Sequence, residues 1–234
     1  MNRKSITVTN NKKDEYIAKI IHDLKVPISA QIIALESFLN TVSNKISQEE
    51  KDLIELTLNS CKYMQKLAEI FNTVDKLNYE AIKLNYEKFD IVKLVKDSLD
   101  ELKILIKYNE LKISFDFNKE IIVDADKIQI KRVIENLLSN SINYAFKNTT
   151  IKIFIESKEN FAIFKIINNS PYIEPNVLKE IFQKYKTSAF LYNKSGVGLG
   201  LYLSNEIMQA HHGEMIAQSN VDNLNLFGFK IPIN

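Results

Sequence analysis

The sequence predicts an α+β protein, in which a long antiparallel helical hairpin precedes an α/β sandwich whose helices cover one face of a mixed sheet. Three observations support this fold class. Apolar residues recur every three or four positions over the first third of the 234-residue chain, as one face of a helix requires. Apolar and polar residues alternate in several short segments after Leu84, as in half-buried strands. Helical patterns separate these segments, which is typical of a sheet covered by helices.

Two long helices form the predicted hairpin. The first apolar stripe runs from Ile17 to Val42 and the second from Leu53 to Leu77, with a polar break over 43–48. In this break, Ser47 and Glu50 have the spacing of a capping box. The apolar faces are wider than one hairpin can bury, so we expect two copies to pair as a homodimeric four-helix bundle. Packing of the hairpin on the rest of its own chain is the alternative.

The elements of the sandwich follow from Leu84 onward. Asp126 is the expected N-cap of a long helix, Pro175 opens a short helix, and Gly213 ends the last helix. The predicted domains are a loose N-terminal tail at 1–13, the hairpin at 14–79 and a second domain at 80–234. The patterns predict strands over 84–89, 111–117, 151–157, 161–167, 214–219 and 226–233, and helices over 91–106, 126–143, 175–182 and from the glycine run to Ala210.

The composition limits the cellular compartment and the partners that we expect for this protein. The net charge of +2 provides no electrostatic case for nucleic acid or an acidic membrane as a partner. Cys61 is the single cysteine, which excludes an internal disulfide and suits a reducing compartment. No apolar run approaches the roughly eighteen residues of a spanning helix, and Met1–Lys13 lacks the apolar core of a signal peptide. We therefore expect a cytoplasmic protein without membrane insertion, which receives its signal from an upstream sensor protein.

A cluster of glycines is the first candidate site. Three of the chain's five glycines are Gly196, Gly198 and Gly200, and an apolar helical pattern follows them. Without a Cβ, such a run lets backbone N–H groups approach an anion closely, and phosphate often binds at the start of a helix in this way. A flexible lid or a tight turn is the alternative interpretation.

His22 and Asp23 form the second candidate site, beside the apolar stripe of the first helix. A neutral imidazole is a nucleophile near its unperturbed pKa, and an adjacent carboxylate can accept its proton or orient the ring. Pro27 removes the helical hydrogen bond to the carbonyl of Asp23, so we expect a bend there. A surface histidine with an incidental neighbour is the alternative.

Three asparagines form the third candidate site. Asn136, Asn140 and Asn143 are three and four residues apart and so share one face of a predicted helix. Asparagine is a poor residue for a helix interior, while its amide oxygen can coordinate Mg²⁺ beside substrate phosphates. A solvated polar stripe is the alternative, because this chain is rich in asparagine.

These three segments, in this order, resemble the catalytic core of two-component sensor histidine kinases, and the likeness covers nearly the whole chain from Lys13. His22–Pro27 resembles the H box of that family, and Glu135–Ser141 resembles its N box. Ile181–Tyr185 is similar to the F box, and Gly196–Leu201, with His212 and Gly213 after it, is similar to the second glycine box.

The resemblance implies an ATP-dependent protein-histidine kinase. The hairpin would be the dimerisation and phosphoacceptor domain, and the residues from about Leu84 would form the ATP-binding domain of the family shared with gyrase and Hsp90. His22 would take the γ-phosphoryl group with Asp23 as base, and would pass it to an aspartate in the receiver domain of a response regulator. A lid over 184–195 would close on the triphosphate.

The resemblance also implies the residues of the nucleotide site. Asn140 would hold Mg²⁺ with the support of Asn136, Tyr144 would pack on the adenine, and Lys184 or Lys186 would supply a cation. The full set implied to contact the nucleotide is Asn136, Asn140, Asn143, Tyr144, Asn168, Lys184, Lys186, Gly196, Gly198, Leu199 and Gly200.

The sequence departs from the family at the first glycine box, typically Asp-x-Gly-x-Gly, whose residues are here Asn168, Ser170 and Tyr172. An amide can still accept from the adenine amino group and donate to a ring nitrogen. Asn143 replaces a lysine that is common in the N box. The alternative function is a dimeric histidine phosphotransfer or scaffold protein with a decayed ATP site. A purely structural helical protein is a third candidate, against which the intact second glycine box argues.

Overall fold

The computed structural model describes residues 3–42, 45–76, 82–115, 119–186 and 198–233. Within these ranges, only the backbone is described at 3–19, 21–22, 63, 66, 72, 75 and 76. The chain divides into two compact units, Met1–Glu80 and Ala81–Asn234. The predicted boundary at 77–81 lies outside the described residues. Within the described part of the chain, no helix is both long and apolar enough to cross a membrane.

Two helices, α1 (Arg3–Val42) and α2 (Gln48–Lys76), make up the first unit. The capping box that the sequence predicted opens α2: Ser47 N donates to the Glu50 carboxylate at 2.8 Å, and Glu50 N donates to Ser47 Oγ at 3.2 Å. The loose tail expected over 1–13 is corrected, because α1 already begins at Arg3. The first 26 residues contain neither glycine nor proline. No residue before Pro27 therefore interrupts helical hydrogen bonding.

The two helices of this unit share a small apolar core. Ile28 and Ile32 of α1 pack with Leu58 and Cys61 of α2. Cys61 is 4% exposed and therefore serves as a packing residue. Many large apolar side chains of the hairpin remain exposed, among them Leu24, Val26, Ile33, Phe38, Leu53, Leu56 and Met64.

The second unit is built on a five-stranded sheet in the order β2-β4-β5-β7-β6, beside a separate antiparallel pair of β1 and β3. β2 runs parallel to β4, and all other neighbours in the large sheet are antiparallel, so the sheet is mixed as predicted. The strands are β1 (Glu87–Asp90), β2 (Lys112–Ser114), β3 (Ile122–Ala125), β4 (Thr150–Lys158), β5 (Phe161–Asn169), β6 (Glu214–Ser219) and β7 (Leu224–Pro232). The helices are α3 (Ile91–Glu101), α4 (Lys103–Tyr108), α5 (Lys127–Tyr144), α6 (Pro175–Glu180) and α7 (Gly200–Ala210).

Helices cover one face of this sheet. Alternate residues of β4 are buried, whereas Lys152, Phe154 and Glu156 between them are exposed. α5 packs on β5 and is flanked by α3 and α7. The buried layer between helices and sheet includes Ile134, Leu138, Ile151, Phe164, Ile166, Met208 and Phe229. The α+β class and the one-sided cover are confirmed.

Some elements differ from the sequence patterns. The helix expected over 91–106 is two helices, α3 and α4, because Leu102 leaves the helical conformation with φ −97° and ψ 2°. β1 is displaced toward Asp90 relative to the strand expected at 84–89. β3 was not predicted, since its four residues are too few to show an alternating pattern. Asp126 caps α5 as expected and accepts from Gln129 N at 3.0 Å.

Candidate functional site

Asn136 on α5 fixes the beginning of α7. Its side-chain nitrogen donates to Ser204 Oγ at 3.0 Å, and the Ser204 hydroxyl donates to Gly200 O at 3.0 Å. A Cβ built on Gly200 would collide with the Asn136 amide oxygen, so only glycine allows this close approach. The N box and the second glycine box are therefore joined by direct contact.

The N-terminus of α7 is a candidate anion-binding position. Leu199 occupies the N-cap position, and no side chain of the described residues caps the helix. Leu199 as a whole is 2% exposed, so its side chain packs inside the unit. Unsatisfied N–H groups and the positive end of the helix dipole favour an anion at such a position.

Gly198 closes the segment that precedes α7. Its φ is +72°, and an added Cβ would lie 2.6 Å from the carbonyl oxygen of Lys186. Tyr185 N donates to Gly198 O at 3.0 Å. Residues 185–186 and residue 198 therefore lie close together, although eleven residues separate them in the sequence. Gly196 belongs to the separating stretch 187–197 and lies outside the described residues.

The two lysines expected to act as phosphate cations have different surroundings. Lys184 Nζ lies 5.1 Å from the centre of the Tyr202 ring, and Tyr202 is in the first turn of α7. Lys186 Nζ lies 2.5 Å from the Glu180 carboxylate, which compensates its charge. Burial raises the pKa of the Tyr202 hydroxyl, so this ring stays neutral beside Lys184.

The remaining N-box residues project away from the core of the second unit. Asn140 and Tyr144 are half-buried and Asn143 is exposed, whereas Leu137 and Leu138 are buried. Among the described residues, no group of three or more His, Cys, Asp or Glu side chains could hold a metal ion. A divalent cation here would depend on an amide oxygen and on ligands supplied by a bound substrate.

A buried polar cluster lies where β5 meets α5 and β7. Asn168 is 2% exposed, and its side-chain nitrogen donates to the carbonyl of Ser141 at 3.4 Å. Asn225, opposite Asn168 in the sheet register, donates from its side-chain nitrogen to Ser170 Oγ at 2.5 Å. Ser141 Oγ and Asn225 Oδ1 are buried without a hydrogen-bond partner. Buried polar atoms are rarely left in this state, so the two atoms indicate a place for a water molecule or a ligand.

The segment that replaces the first glycine box is held by the turn between β6 and β7. Ser170 N donates to Asn223 O at 2.9 Å, and Tyr172 N donates to Asn223 Oδ1 at 3.2 Å. Ile173 N donates to Ser219 Oγ at 2.9 Å. These bonds keep the backbone of 170–173 in place although neither of the expected glycines is present.

Sequence reasoning missed three polar residues around this site, Ser141, Ser204 and Asn225, and also the buried His211 at the other end of α7. Ser204 had a detectable signal, because it interrupts the buried stripe of α7 between Leu203 and Ile207. Asn225 had none, since only the register of β5 and β7 places it opposite Asn168.

His211 joins α7 to the start of α5. Its Nδ1 donates to Ile207 O at 2.8 Å, and its Nε2 accepts from Asp126 N at 3.0 Å. Burial lowers the pKa of the ring, against the opposing effect of the bond to Ile207. The neutral ring is therefore part of the packing of these helices.

The residues expected to carry out phosphoryl chemistry belong to the first unit. His22 is in α1, at a position whose side chain lies outside the described residues. Asp23 is exposed, and α1 continues through Pro27, which is also exposed. Asp23 and Pro27 are both accessible to solvent on this helix.

Comparison with known proteins shows what this chain is similar to. Residues 125–234 match the family described as histidine kinase-, DNA gyrase B-, and HSP90-like ATPase. The chain is 27% identical over 224 residues to the sensor histidine kinase YvrG of Bacillus subtilis (strain 168), covering 94% of this chain and 38% of YvrG. Residues 125–234 are therefore similar to this ATPase family, and the chain as a whole is similar to a sensor histidine kinase, of which it spans well under half.

Solved structures share the fold. The crystal structure of full-length ShkA in complex with AMPPNP has a TM-score of 0.73 at 17% identity, covering 94% of this chain and 46% of ShkA. The histidine kinase AdeS of Acinetobacter baumannii has a TM-score of 0.65 at 22% identity, covering 89% of this chain and 98% of the AdeS chain.

Proposed function

We propose that this chain is an ATP-dependent protein-histidine kinase of a two-component pathway, which phosphorylates His22 and passes the phosphoryl group to an aspartate in a response-regulator receiver domain. The observation that carries the proposal is the uncapped start of α7, held against the N box through Asn136, Ser204 and Gly200. The family match over 125–234 and the AMPPNP bound to ShkA support ATP as the ligand.

The residues of the second unit fit a magnesium-bound triphosphate. The free N–H groups at the start of α7 bind phosphate oxygens, and Lys184 beside Tyr202 adds positive charge. The amide oxygen of Asn140 is a ligand type that Mg²⁺ accepts, and Mg²⁺ commonly takes few protein ligands beside substrate phosphates. Tyr144, at the end of α5, packs on the base.

The first unit supplies the nucleophile. ATP, when bound, supplies the γ-phosphoryl group. A neutral ring nitrogen of His22 attacks the γ-phosphorus, a nitrogen–phosphorus bond forms while the bond to the bridging oxygen breaks, and ADP leaves. Asp23 takes the proton that the ring gives up. An aspartate carboxylate of the receiver domain then displaces His22 from phosphorus and restores the free imidazole.

The exposed apolar side chains of the hairpin support a homodimer. Ile33, Leu53 and Leu56 are each at least 64% exposed in the single chain. Exposed apolar side chains of this kind would be buried by pairing with a second copy. We further propose that the protein works in the cytoplasm, where ATP is available, under the control of an upstream sensor.

The test is a phosphorylation assay with the whole chain, Mg²⁺ and γ-labelled ATP, comparing the wild type with His22→Ala. We expect acid-labile, base-stable label on the wild type and none on the variant. His212→Asn is the matched control, because His212 is exposed with φ 57°, which asparagine tolerates, and it should retain the label.

Two results would contradict the proposal. Label that persists in His22→Ala would mean that another residue is the acceptor. Absence of label on the wild type, together with acceptance of phosphate from a phosphorylated receiver domain, would favour a phosphotransfer protein without ATP chemistry.

A further inference from the structure

Resting on the proposed ATP site, we propose that its base pocket does not discriminate between 6-aminopurines and 6-oxopurines, so that the protein binds inosine triphosphate about as well as ATP. The residue that determines this is Asn168. The substrate class of the kinase would then be purine nucleoside triphosphates in general.

Asn168 lies beside the residues that form the nucleotide site. Its side chain reaches α5 at the carbonyl of Ser141, which directly follows Asn140 and lies three residues before Tyr144. The side chain is 2% exposed, so a base that meets it does so in a largely dehydrated environment. In such surroundings a mismatched hydrogen bond is costly, and this residue therefore has strong influence on which base is accepted.

An amide side chain at this position does not prefer 6-aminopurines over 6-oxopurines. A group opposite the C6 substituent must accept a hydrogen bond from a 6-amino group and must donate one to a 6-oxo group. A carboxylate at this position can only accept. The Asn168 amide has an oxygen that accepts and a nitrogen with two hydrogens, of which Ser141 uses one, so both kinds of partner are available.

Among the described residues, the buried polar neighbours of Asn168 carry no charge that would restore a preference. The cluster around it consists of Ser141, Ser170 and Asn225, all at most 3% exposed and none of them ionisable. The hydrogen bond from Asn168 to Ser141 measures 3.4 Å, which is long for an N–H···O bond and holds the amide weakly. The unpartnered hydroxyl of Ser141 can itself either donate or accept. Hydrogen bonding in this pocket can therefore adapt to either edge of a purine.

The test is calorimetric titration of the whole chain with ATP and with inosine triphosphate in the presence of Mg²⁺. We expect the two dissociation constants of the wild type to agree within about tenfold, since both bases find a partner on the amide. Asn168→Asp should keep ATP binding and weaken inosine triphosphate by roughly tenfold or more, because a carboxylate opposes the 6-oxo group. The control is Asn160→Asp at the exposed turn between β4 and β5, which should leave the ratio unchanged.

Each outcome decides a separate point. If the wild type binds ATP but binds inosine triphosphate about a hundredfold more weakly, this inference is overturned and the proposed kinase function stands. Equal ratios in the wild type and in a folded Asn168→Asp variant show that Asn168 does not read the base. Failure of both nucleotides to bind at millimolar concentration overturns the proposed function, and the inference with it. The wild-type ratio needs no variant, so poor folding of Asn168→Asp would not rescue the idea.

Discussion

The side chain of Asn136 donates to Ser204 Oγ at 3.0 Å across the interface of α5 and α7. Ser204 also donates to the backbone of Gly200, one turn earlier on α7. Two segments that lie more than sixty residues apart in the sequence are thereby fixed relative to each other. This bond fixes the position of the start of α7 relative to α5.

Ser204→Ala should weaken both folding and nucleotide binding. The substitution leaves the Asn136 amide nitrogen without its partner at a part-buried position, which costs about 1–2 kcal/mol of unfolding free energy. It also releases the start of α7, so we expect the dissociation constant for ATP to rise by about tenfold. Urea denaturation measures the first effect, and calorimetric titration with Mg²⁺ and ATP measures the second.

Ser139→Ala is the matched control for this prediction. The Ser139 hydroxyl bonds to the carbonyl of Asn136 within α5, so its loss leaves the contact with α7 unchanged. A Ser139→Ala variant that weakens ATP binding as much as Ser204→Ala would show that the bond between the helices has no special role.

Features that depend on nearby residues were predictable from the sequence. The capping box of Ser47 and Glu50 and the N-cap of Asp126 are local patterns, and the structure has both in place. Hydrophobic periodicity predicted most of the helices and strands in their order, because burial repeats with the period of each element.

Features that depend on register and packing were not predictable. Asn225 and Ser170 are 55 residues apart and meet only because β5 and β7 pair in one register. The break at Leu102 depends on its backbone angles. No glycine or proline marks this position in the sequence. Sequence therefore predicted most of the elements on which the candidate residues lie, while the buried contacts between those elements required the three-dimensional structure.

Gly198→Ala should destabilise the chain where it returns toward residues 185–186. Alanine is strained at φ +72°, and its Cβ would lie 2.6 Å from Lys186 O. We expect a loss of about 1–2 kcal/mol for the left-handed conformation alone, more with the collision, and faster cleavage by proteases near residues 184–198. Urea denaturation and limited proteolysis measure these effects.

Gly198→Asn separates the two causes of that loss. Asparagine tolerates a positive φ but still has a Cβ that meets the Lys186 backbone. We expect it to be nearly as destabilised as Gly198→Ala. Full recovery of stability in Gly198→Asn would show that the backbone conformation, and not the close approach, requires glycine.

His211 should make stability fall as the pH is lowered. Burial holds the pKa of His211 below its ordinary value of 6.5, with a small further decrease from His212 and opposing effects of Ile207 and Asp126. Because the folded pKa lies below that of the unfolded chain, the unfolded state binds the proton more readily, and stability is lost as the pH falls below about 6.5. Above that pH the contribution is fully present.

The measurement is urea unfolding at about pH 7.5 and about pH 5.5. His211→Gln removes the titrating ring, so its stability should change less between the two values than that of the wild type. His212→Asn, at the exposed neighbouring position, should keep the wild-type dependence. An unchanged pH dependence in His211→Gln would assign the effect to other groups.

Leu56→Glu should convert the proposed homodimer to a monomer without unfolding the hairpin. Leu56 is 64% exposed in the single chain, so a charge there costs little in the isolated subunit. In a dimer interface the carboxylate would lose its hydration without a partner, and we expect the dimer dissociation constant to rise by at least about tenfold. Analytical ultracentrifugation gives the mass, and circular dichroism checks that helix content is retained.

Asn59→Glu adds the same charge at another exposed position of α2 and should stay dimeric. A dimer that persists in Leu56→Glu would mean that this apolar face is not the one that joins the subunits.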